Sequence, residues 1–265
     1  MDLQLTGKHV LITGGSKGIG LACAEGFLKE GAKVSIIARG LEALNEARTN
    51  LLLAGASDRN VCIASADLRD AQATEAAIVE VEAALGPVDI LVNSAGAARR
   101  MPPRELTPQH WRDAMDAKFF TYVNATSFVI KGMAERGSGA ILNIVGMGGK
   151  IASPTHLAGG AANAALMLMS AGLANAYGSA GVRVNAVNPT VTLTDRMEEG
   201  IVADAQLKGI SKAQALEQTT ARMPLGRIAT SVEVADAVLF LCSPRASYIS
   251  GSILSIDGAI TPLVV

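Results

Sequence analysis

Residues 9–20 of the chain read HVLITGGSKGIG, and this stretch decides the fold. Its first five residues are an apolar run of strand length. The glycines that follow permit a tight turn and a close approach of the backbone to a ligand. A helical pattern begins at Gly18, so a helix N-terminus would face the turn and favour a phosphate there. The stretch therefore predicts a strand, a pyrophosphate-binding turn and a helix; a turn that only packs is the alternative.

Apolar runs of strand length alternate with helical patterns along the rest of the chain. The predicted strands are residues 9–13, 34–38, 61–64, 88–93, 140–145, 182–188 and 252–256. The predicted helices include residues 18–30, 41–54, 71–85 and 231–241, the last with Ser231 as N-cap and Glu233 in the first turn. Because such alternation builds right-handed βαβ units, we expect an α/β fold with a single doubly wound parallel sheet in three αβα layers.

Composition and charge agree with this fold class and disfavour several others. Hydrophobic residues make up 49% of the chain and aromatic residues only 3%, as a sheet buried on both faces requires. A net charge of −1 gives no electrostatic case for nucleic acid or for an anionic membrane. The most apolar segment, residues 158–176, is interrupted by polar residues and predicts a buried helix rather than a membrane span.

The cysteines and histidines of the sequence predict a reduced intracellular protein without a metal site. The three cysteines are far apart and form no CxxC motif, which predicts a reduced, cytoplasmic chain. The N-terminus lacks the pattern of a secretory signal. The three histidines have no metal-ligand spacing, so we expect no metal site.

The chain shows no linker, repeat or low-complexity tract, so residues 1–265 are expected to form one dinucleotide-binding domain. Residues 195–222 are a long charged, helical excursion late in the chain. They follow a strand end, where α/β folds place their ligands, and are therefore a candidate lid over a substrate. A surface helix pair without that role is an equal alternative.

Five motifs resemble those of the short-chain dehydrogenase/reductase family, in order and over nearly the whole chain. They are TGGSKGIG at 13–20, Asp67-Leu68, NSAG at 93–96, RVNAVNP at 183–189 and the closing segment 250–258. The resemblance implies a Rossmann-like domain in a homotetramer or homodimer, formed through helices over residues 113–136 and 159–178. The cofactor contacts that it implies are Gly14, Ser16, Lys17, Gly18, Ile19, Gly20, Arg39, Asp67, Leu68, Asn93, Ala95, Gly96, Asn163, Pro189, Thr192 and Thr194.

The end of the second predicted strand indicates which dinucleotide is bound. Family members that prefer NAD carry an acid there, which bonds the ribose hydroxyls. In this chain Ala38 and Arg39 occupy that place, and Lys17 lies in the glycine turn. Two cations and no acid suit a 2′-phosphate, so NADP(H) is favoured over NAD(H). Each cation alone is also compatible with a solvated surface charge.

The family's catalytic residues, an Asn, a Ser, a Tyr and a Lys, are absent from the matching motifs. The segments that align with the family patterns are WRDAMDAKFFT at 111–121, ILNIVG at 141–146 and GGAANAAL at 159–166. This alignment places Lys118, Gly146, Gly159 and Asn163 at the four positions, in that order. Since a glycine neither gives nor takes a proton, the usual mechanism of the family is excluded as written.

Three polar residues keep a rearranged mechanism open. Lys118 would supply a cation and Asn163 would bond ribose hydroxyls. His156 precedes Gly159 by three residues, so it would lie one helical turn nearer the substrate, and histidine exchanges protons near neutral pH. The alternatives are a salt-bridged lysine, a packing asparagine and a loop histidine.

A basic loop follows the NSAG motif and, in this family, borders the substrate side. It holds Arg99, Arg100 and Arg104. These arginines would receive an anionic group of a small-molecule substrate, such as a carboxylate or a phosphorylated carrier. A solvated basic loop is the alternative.

Three functions remain compatible with these residues. We favour an NADP(H)-dependent oxidoreductase that interconverts a carbonyl and an alcohol with a non-standard catalytic set, because Lys118, His156 and Asn163 are polar where random loss of function would more often leave apolar residues. The alternative is a catalytically inactive dinucleotide-binding homologue that acts as a binding or regulatory subunit. A lyase, hydratase or epimerase that uses the cofactor structurally is a third.

Overall fold

The structure is a computed structural model that describes residues 1–96 and 98–262, with the backbone alone at positions 196, 199, 203, 206 and 207. Its centre is a parallel sheet of seven strands in the order β3-β2-β1-β4-β5-β6-β9. These strands are β1 His9–Thr13, β2 Lys33–Ala38, β3 Val61–Ser65, β4 Ile90–Asn93, β5 Gly139–Ile144, β6 Val182–Pro189 and β9 Ile253–Ile256. Two short strands, β7 Thr192–Leu193 and β8 Ala229–Thr230, pair separately.

Helices fill the connections between the strands. They are α1 Gly18–Lys29, α2 Leu41–Leu53, α3 Ala71–Leu85, α4 Pro108–Ala114, α5 Thr121–Glu135, α6 Leu157–Tyr177, α7 Asp195–Lys208, α8 Lys212–Ala221 and α9 Ser231–Cys242. A π-helical turn, Met115–Phe120, joins α4 to α5. The four predicted helices agree with α1, α2, α3 and α9 to within one residue at each end.

The strands are apolar on both faces, and helices therefore cover both. All five residues of β1 are buried. Val10 and Ile12 pack in the core that includes α1, α2 and α9, whereas Leu11 packs in the core that includes α3, α5 and α6. A strand in this position needs apolar cover on both sides, which explains its continuous apolar run. The predicted three-layer, doubly wound α/β class is confirmed.

The strand order changes direction at β1, which lies between β2 and β4. Thr13, the last residue of β1, pairs with Ile37 on one side and with Asn93 on the other. The three strands therefore end nearly level, and the turns that follow them open onto one crevice. Open α/β sheets bind their ligands at such a point.

The predicted N-cap of helix α9 is wrong by one residue. Thr230, not Ser231, is the N-cap: its hydroxyl accepts a hydrogen bond from the Glu233 N–H at 3.2 Å. The Glu233 carboxylate in turn accepts from the Thr230 N–H at 2.8 Å. A capping box requires the hydroxyl three residues before the acid, which selects Thr230. Ser231 instead donates its hydroxyl to the Leu193 carbonyl at 3.0 Å.

Helix α6 is the longest helix of the described chain and is largely apolar. By length and composition alone, residues 157–180 could cross a membrane, a test that buried core helices also pass. One face of α6 is buried against the sheet and carries polar residues, among them Asn163 and Ser170. The opposite face is exposed, with Leu168 at 77%. The helix thus packs as the predicted buried core helix does, and it presents one uncovered side.

All three cysteines are free thiols. Cys23 and Cys242 are buried, and burial raises the pKa of both thiols, that of Cys242 to about 12. Because the thiolate is the reactive form, these two cysteines act as small apolar packing groups and not as nucleophiles.

Candidate active site

The turn between β1 and α1 has a backbone that only glycine permits. Gly14 has a φ of +69°, and a Cβ built on it would lie 2.7 Å from the Cα of Ala95. A Cβ on Gly20 would collide with the carbonyl oxygen of Gly14. The turn therefore sits directly against the NSAG segment, and the first N–H groups of α1 have no side-chain cap from Lys17. A glycine cradle at a helix N-terminus fits the pyrophosphate of a dinucleotide.

Two cations lie beside this crevice, Lys17 in the glycine turn and Arg39 directly after β2. Lys17 and Arg39 are exposed, and within the described part of the chain neither side chain forms an ion pair. Asp67, the acid expected beside the adenine, is paired with Arg69, whose Nε donates to the carboxylate at 3.0 Å. Hydrogen bonds from Arg69, with a smaller contribution from the charge of Arg39, hold the pKa of Asp67 below its usual range.

The side chain of Asn93 forms hydrogen bonds within a buried polar network. Its amide donates to the hydroxyl of Thr126 at 3.0 Å and to the side-chain oxygen of Asn143 at 2.9 Å. Its oxygen accepts from the Thr13 hydroxyl at 3.3 Å, and Asn143 donates onward to Ser170 on α6 at 2.8 Å. The network ties strands β1, β4 and β5 to helices α5 and α6, below the floor of the crevice.

Lys118 lies in the π-helical turn and is only 9% exposed. Its ammonium donates to the Tyr122 hydroxyl at 2.9 Å and to the Ile144 carbonyl at 3.0 Å. The side chain therefore points inward, to the end of β5, and not toward bulk solvent. From the sequence, Tyr122 lies one helical turn past Lys118 and is not a substitute for the family's tyrosine; its contact with the Lys118 ammonium was not predicted, although residues four apart share a helix face.

Gly146, which the sequence resemblance aligns with the family's serine, has a backbone that excludes side chains. Its φ of +121° and ψ of 150° lie in a region that is essentially restricted to glycine. Its N–H donates to the side-chain oxygen of Asn188 at 3.2 Å, and its carbonyl accepts a long bond of 3.5 Å from the Asn163 amide. The backbone of the loop after β5 therefore requires a glycine at position 146.

The ring of His156 occupies the space in front of Gly159. A Cβ built on Gly159 would lie 2.7 Å from the Nε2 of His156, and closer still to its Cε1. It would also lie 2.7 Å from the Cβ of Ala98. A Cβ on Gly148 would lie 2.8 Å from the His156 ring carbon Cδ2. Two glycines therefore make room for one imidazole, which is half-buried and whose Nδ1 is fully enclosed.

Asn163 lies close to the same glycine loop as His156. It is 5% exposed, and its amide nitrogen would lie 3.5 Å from a Cβ on Gly148. His156 and Asn163 thus both lie close to Gly148, and Lys118 reaches the strand end two residues before Gly146. The structure brings the three sequence-predicted residues to the same end of β5, from two different helices.

A cavity of about 1000 Å³ lies beside this group, against α4 and the start of α6. It carries four carboxylates, from Asp67, Asp70, Asp113 and Asp116, with His110 and two arginines, Arg69 and Arg99. Sequence reasoning missed the two aspartates near α4, because charges on an exposed helix usually belong to a solvated face. Of the three predicted arginines only Arg99 lines the cavity, while Arg104 pairs with Glu105 at 3.8 Å on the surface.

A doubly wound sheet with a glycine cradle at the point where its strand order reverses defines the class of dinucleotide-binding α/β proteins. The chain belongs to the short-chain dehydrogenase/reductase family and is an oxidoreductase: the family model described as Enoyl-(Acyl carrier protein) reductase matches residues 14–261. It is 33% identical to gluconate 5-dehydrogenase of Gluconobacter oxydans over 97% of this chain and 96% of that one. It is 36% identical to D-threitol dehydrogenase of Mycolicibacterium smegmatis over 98% and 95%.

Solved structures with the same fold carry nicotinamide dinucleotides. L-sorbose reductase from Gluconobacter frateurii, complexed with NADPH and L-sorbose, has a TM-score of 0.92 at 31% identity and full coverage of both chains. An NADPH-bound short chain oxidoreductase from Pseudomonas aeruginosa PAO1, described as containing an atypical catalytic center, has a TM-score of 0.87 at 30% identity, over 97% and 98%. A 7α-hydroxysteroid dehydrogenase complexed with NADH has a TM-score of 0.87 at 28% identity, over 97% and 96%.

Proposed function

We propose that this chain is an NADP(H)-dependent oxidoreductase that interconverts a carbonyl and an alcohol through Lys118, His156 and Asn163 instead of the family's four catalytic residues. The observation that carries the proposal is the His156 ring, which occupies the volume where a side chain of residue 159 would begin. A group that exchanges protons near neutral pH thus stands beside the position that the family gives to its tyrosine.

The reaction needs one proton for each hydride. When bound, the dinucleotide supplies the hydride to a carbonyl carbon or takes it from an alcohol carbon. In the reducing direction His156 gives its proton to the substrate oxygen, and in the oxidising direction it accepts that proton. The Lys118 ammonium stabilises negative charge on the same oxygen, and the Asn163 amide bonds the nicotinamide ribose.

The preference for NADP(H) rests on the exposed cations of the crevice. Lys17 stands in the glycine turn and Arg39 directly after the end of β2, where Ala38 leaves no acid to meet ribose hydroxyls. A 2′-phosphate would accept charge-assisted hydrogen bonds from both cations. Similar structures bind either NADPH or NADH. The preference for NADP(H) is therefore argued from Lys17, Arg39 and Ala38 and not from the comparison.

The candidate lid and the substrate belong to the same proposal. Helices α7 and α8 pack on each other through Ile201, Ala205 and Ala215. Thr194, the residue directly before the segment, lies 3.3 Å from a Cβ built on Gly18. We propose that the chain forms one dinucleotide-binding domain. Residues 195–222 close over its small-molecule substrate. The cavity offers an anionic group two arginines but four aspartates, which favours a neutral polyol or ketose.

The assembly that we propose is a homotetramer or homodimer of cytoplasmic chains. Its contacts are the helices over residues 113–136 and 159–178. The exposed face of α6 supports this, because it carries Leu168 among small residues that permit close helix packing.

The test is turnover by the purified chain. NADPH would be offered with L-sorbose and L-xylulose, and NADP⁺ with gluconate, D-threitol and galactitol, while absorbance at the nicotinamide band is followed. We expect turnover of at least one compound. We expect His156→Phe and His156→Gln to lower kcat by roughly 10²–10⁴-fold, with the Kd for NADPH nearly unchanged. Undiminished turnover in both variants would rule out His156 as the proton donor.

A second candidate is a homologue that binds the dinucleotide without turnover. The Lys118 ammonium favours it, since a lysine that bonds the Ile144 carbonyl and the Tyr122 hydroxyl already has a structural task. In that case NADPH binds, no compound of the panel is converted, and the His156 variants bind NADPH as the unmutated chain does.

A further inference from the structure

The Lys118 ammonium and the Tyr122 hydroxyl meet at one backbone oxygen. Lys118 Nζ donates to the Ile144 carbonyl at 3.0 Å, and Tyr122 Oη donates to the same oxygen at 2.6 Å. Lys118 Nζ also donates to Tyr122 Oη at 2.9 Å and lies 4.7 Å from the centre of the tyrosine ring. The three polar atoms form a closed triangle in which each lies within hydrogen-bond distance of the other two.

This triangle lies at the end of β5 that borders the candidate site. Ile144 is the last residue of β5 and lies one residue beyond the last pair between β4 and β5, Asn93–Asn143. Tyr122 is fully buried and Lys118 nearly so. An ammonium with so little access to water is costly unless its N–H groups find acceptors, so the triangle holds it firmly in place.

The π-helical turn brings the two side chains together. Lys118 lies inside the turn, and Tyr122 follows four residues later in the first turn of α5. Side chains at this spacing are neighbours on a helix surface. An insertion of the π type re-aims the helix locally, and such insertions are frequent at functional sites.

We infer that Tyr122 is a positioning residue for Lys118. The inference rests on the proposed function, in which Lys118 stabilises charge on the substrate oxygen. The Tyr122 hydroxyl accepts one N–H of the ammonium and donates its own proton to the Ile144 carbonyl. It therefore fixes both the place of Nζ and the direction of its N–H bonds, while the ring supports the same charge from the side. Because Tyr122 is fully buried, it acts through Lys118 and not on the substrate.

A purely structural role for Tyr122 makes a different prediction. If the hydroxyl serves only to satisfy the Ile144 carbonyl, its removal lowers stability and leaves the kcat of the folded molecules unchanged. The variant Tyr122→Phe separates the two roles, because it keeps the ring, its volume and the contact of the ammonium with the ring face. It removes the Oη atom alone.

The first experiment detects the ammonium directly and needs no turnover. In protein labelled with ¹⁵N-lysine, a buried and hydrogen-bonded ammonium gives a resolved ¹H–¹⁵N signal, which is assigned to Lys118 by its loss in Lys118→Met. We expect the signal to shift or broaden in Tyr122→Phe. It should persist in the matched control Tyr177→Phe, on the half-buried tyrosine of α6. An identical signal in Tyr122→Phe overturns the inference.

The second experiment is a double-mutant cycle on kcat with NADPH and the best compound of the panel. We expect Tyr122→Phe to lower kcat by roughly 10- to 100-fold while the KM for NADPH changes less than about threefold. In the Lys118→Met background the same change should have no further effect, because the two residues act in series. Additive losses overturn the inference. If no compound is converted, the proposed function fails, and the lysine signal still decides the role of Tyr122.

Discussion

The two ends of the crevice differ in how far they keep the family's residues. At the cofactor end the glycine turn, Asp67 and the NSAG segment stand where the family has them. At the other end the sequence resemblance aligns Gly146 and Gly159 with the family's serine and tyrosine. The structure there is nevertheless specific: Gly146 has a φ of +121°, which favours glycine, and the His156 ring fills the space in front of Gly159.

The largest effect that we expect comes from Gly159→Ala at the catalytic end. The new methyl group would collide with the His156 ring and with Ala98, so the imidazole must leave its place. We predict that kcat falls by roughly 10²–10⁴-fold, as for the loss of an acid–base group, with NADPH affinity nearly intact. Steady-state kinetics and a fluorescence titration measure the two quantities.

The matched control is Gly172→Ala on the same helix, where a Cβ would meet nothing within 4 Å. It should leave kcat unchanged and stabilise the helix by up to about 1 kcal/mol. Equal kinetics for both variants would mean that the space in front of Gly159 has no catalytic importance.

The next effect tests the cofactor end. Arg39→Ala and Lys17→Ala each remove one charge-assisted contact from a 2′-phosphate, which is worth about 1.5–3 kcal/mol. We expect each variant to bind NADPH more weakly by roughly 10- to 100-fold and to bind NADH as before. Titration of both cofactors decides it: equal affinity for NADPH and NADH in the unmutated chain contradicts the assignment.

Gly14→Ala sharpens the contrast between the two ends. At a φ of +69°, beside the Cα of Ala95, an alanine costs about 1–2 kcal/mol in backbone strain alone. Since the turn cradles the pyrophosphate, we expect NADPH and NADH to lose affinity together, by about tenfold. A selective loss for NADPH would show that the turn contacts the 2′-phosphate instead.

The smallest effect that we predict is on the pH dependence of stability. It involves His9, the first residue of β1, at the opposite end of that strand from the glycine turn. Burial lowers the pKa of His9, whose ring bonds the Gly86 carbonyl at 2.6 Å and the Ser35 hydroxyl at 2.8 Å. The folded state therefore favours neutral His9. The stability that it contributes is complete above the unfolded pKa of about 6.5 and is lost as the pH falls toward the lower folded pKa.

We expect the free energy of unfolding to fall between pH 7.5 and pH 5.5 through this group, because burial lowers the pKa of folded His9. Urea denaturation at the two pH values measures it, and His9→Asn should flatten that part of the pH dependence while kcat at pH 7.5 stays unchanged. A slope that is equally steep in His9→Asn assigns the effect to another group.

Local patterns were sufficient for most of the fold. The apolar run of β1 and the glycines after it predict a strand, a turn and a helix, because the periodicity and the turn chemistry act over a few residues. The N-cap of α9 was missed by one position, since Thr230 and Ser231 are both hydroxyl residues and only the reach of Glu233 distinguishes them. Motif spacing likewise nominated Lys118, His156 and Asn163 as candidate catalytic residues, and their catalytic role stays a prediction.

The sequence by itself determined the fold class, the glycine cradle and the absence of a tyrosine at position 159, because each depends on residue type at a fixed spacing. Only the tertiary structure decided what fills the place in front of Gly159, where the Lys118 ammonium points and which partner holds it. Those answers depend on contacts between distant segments, such as Ala98 with residue 159 and Ile144 with the π-helical turn. Such contacts follow from packing and burial, which no local pattern encodes.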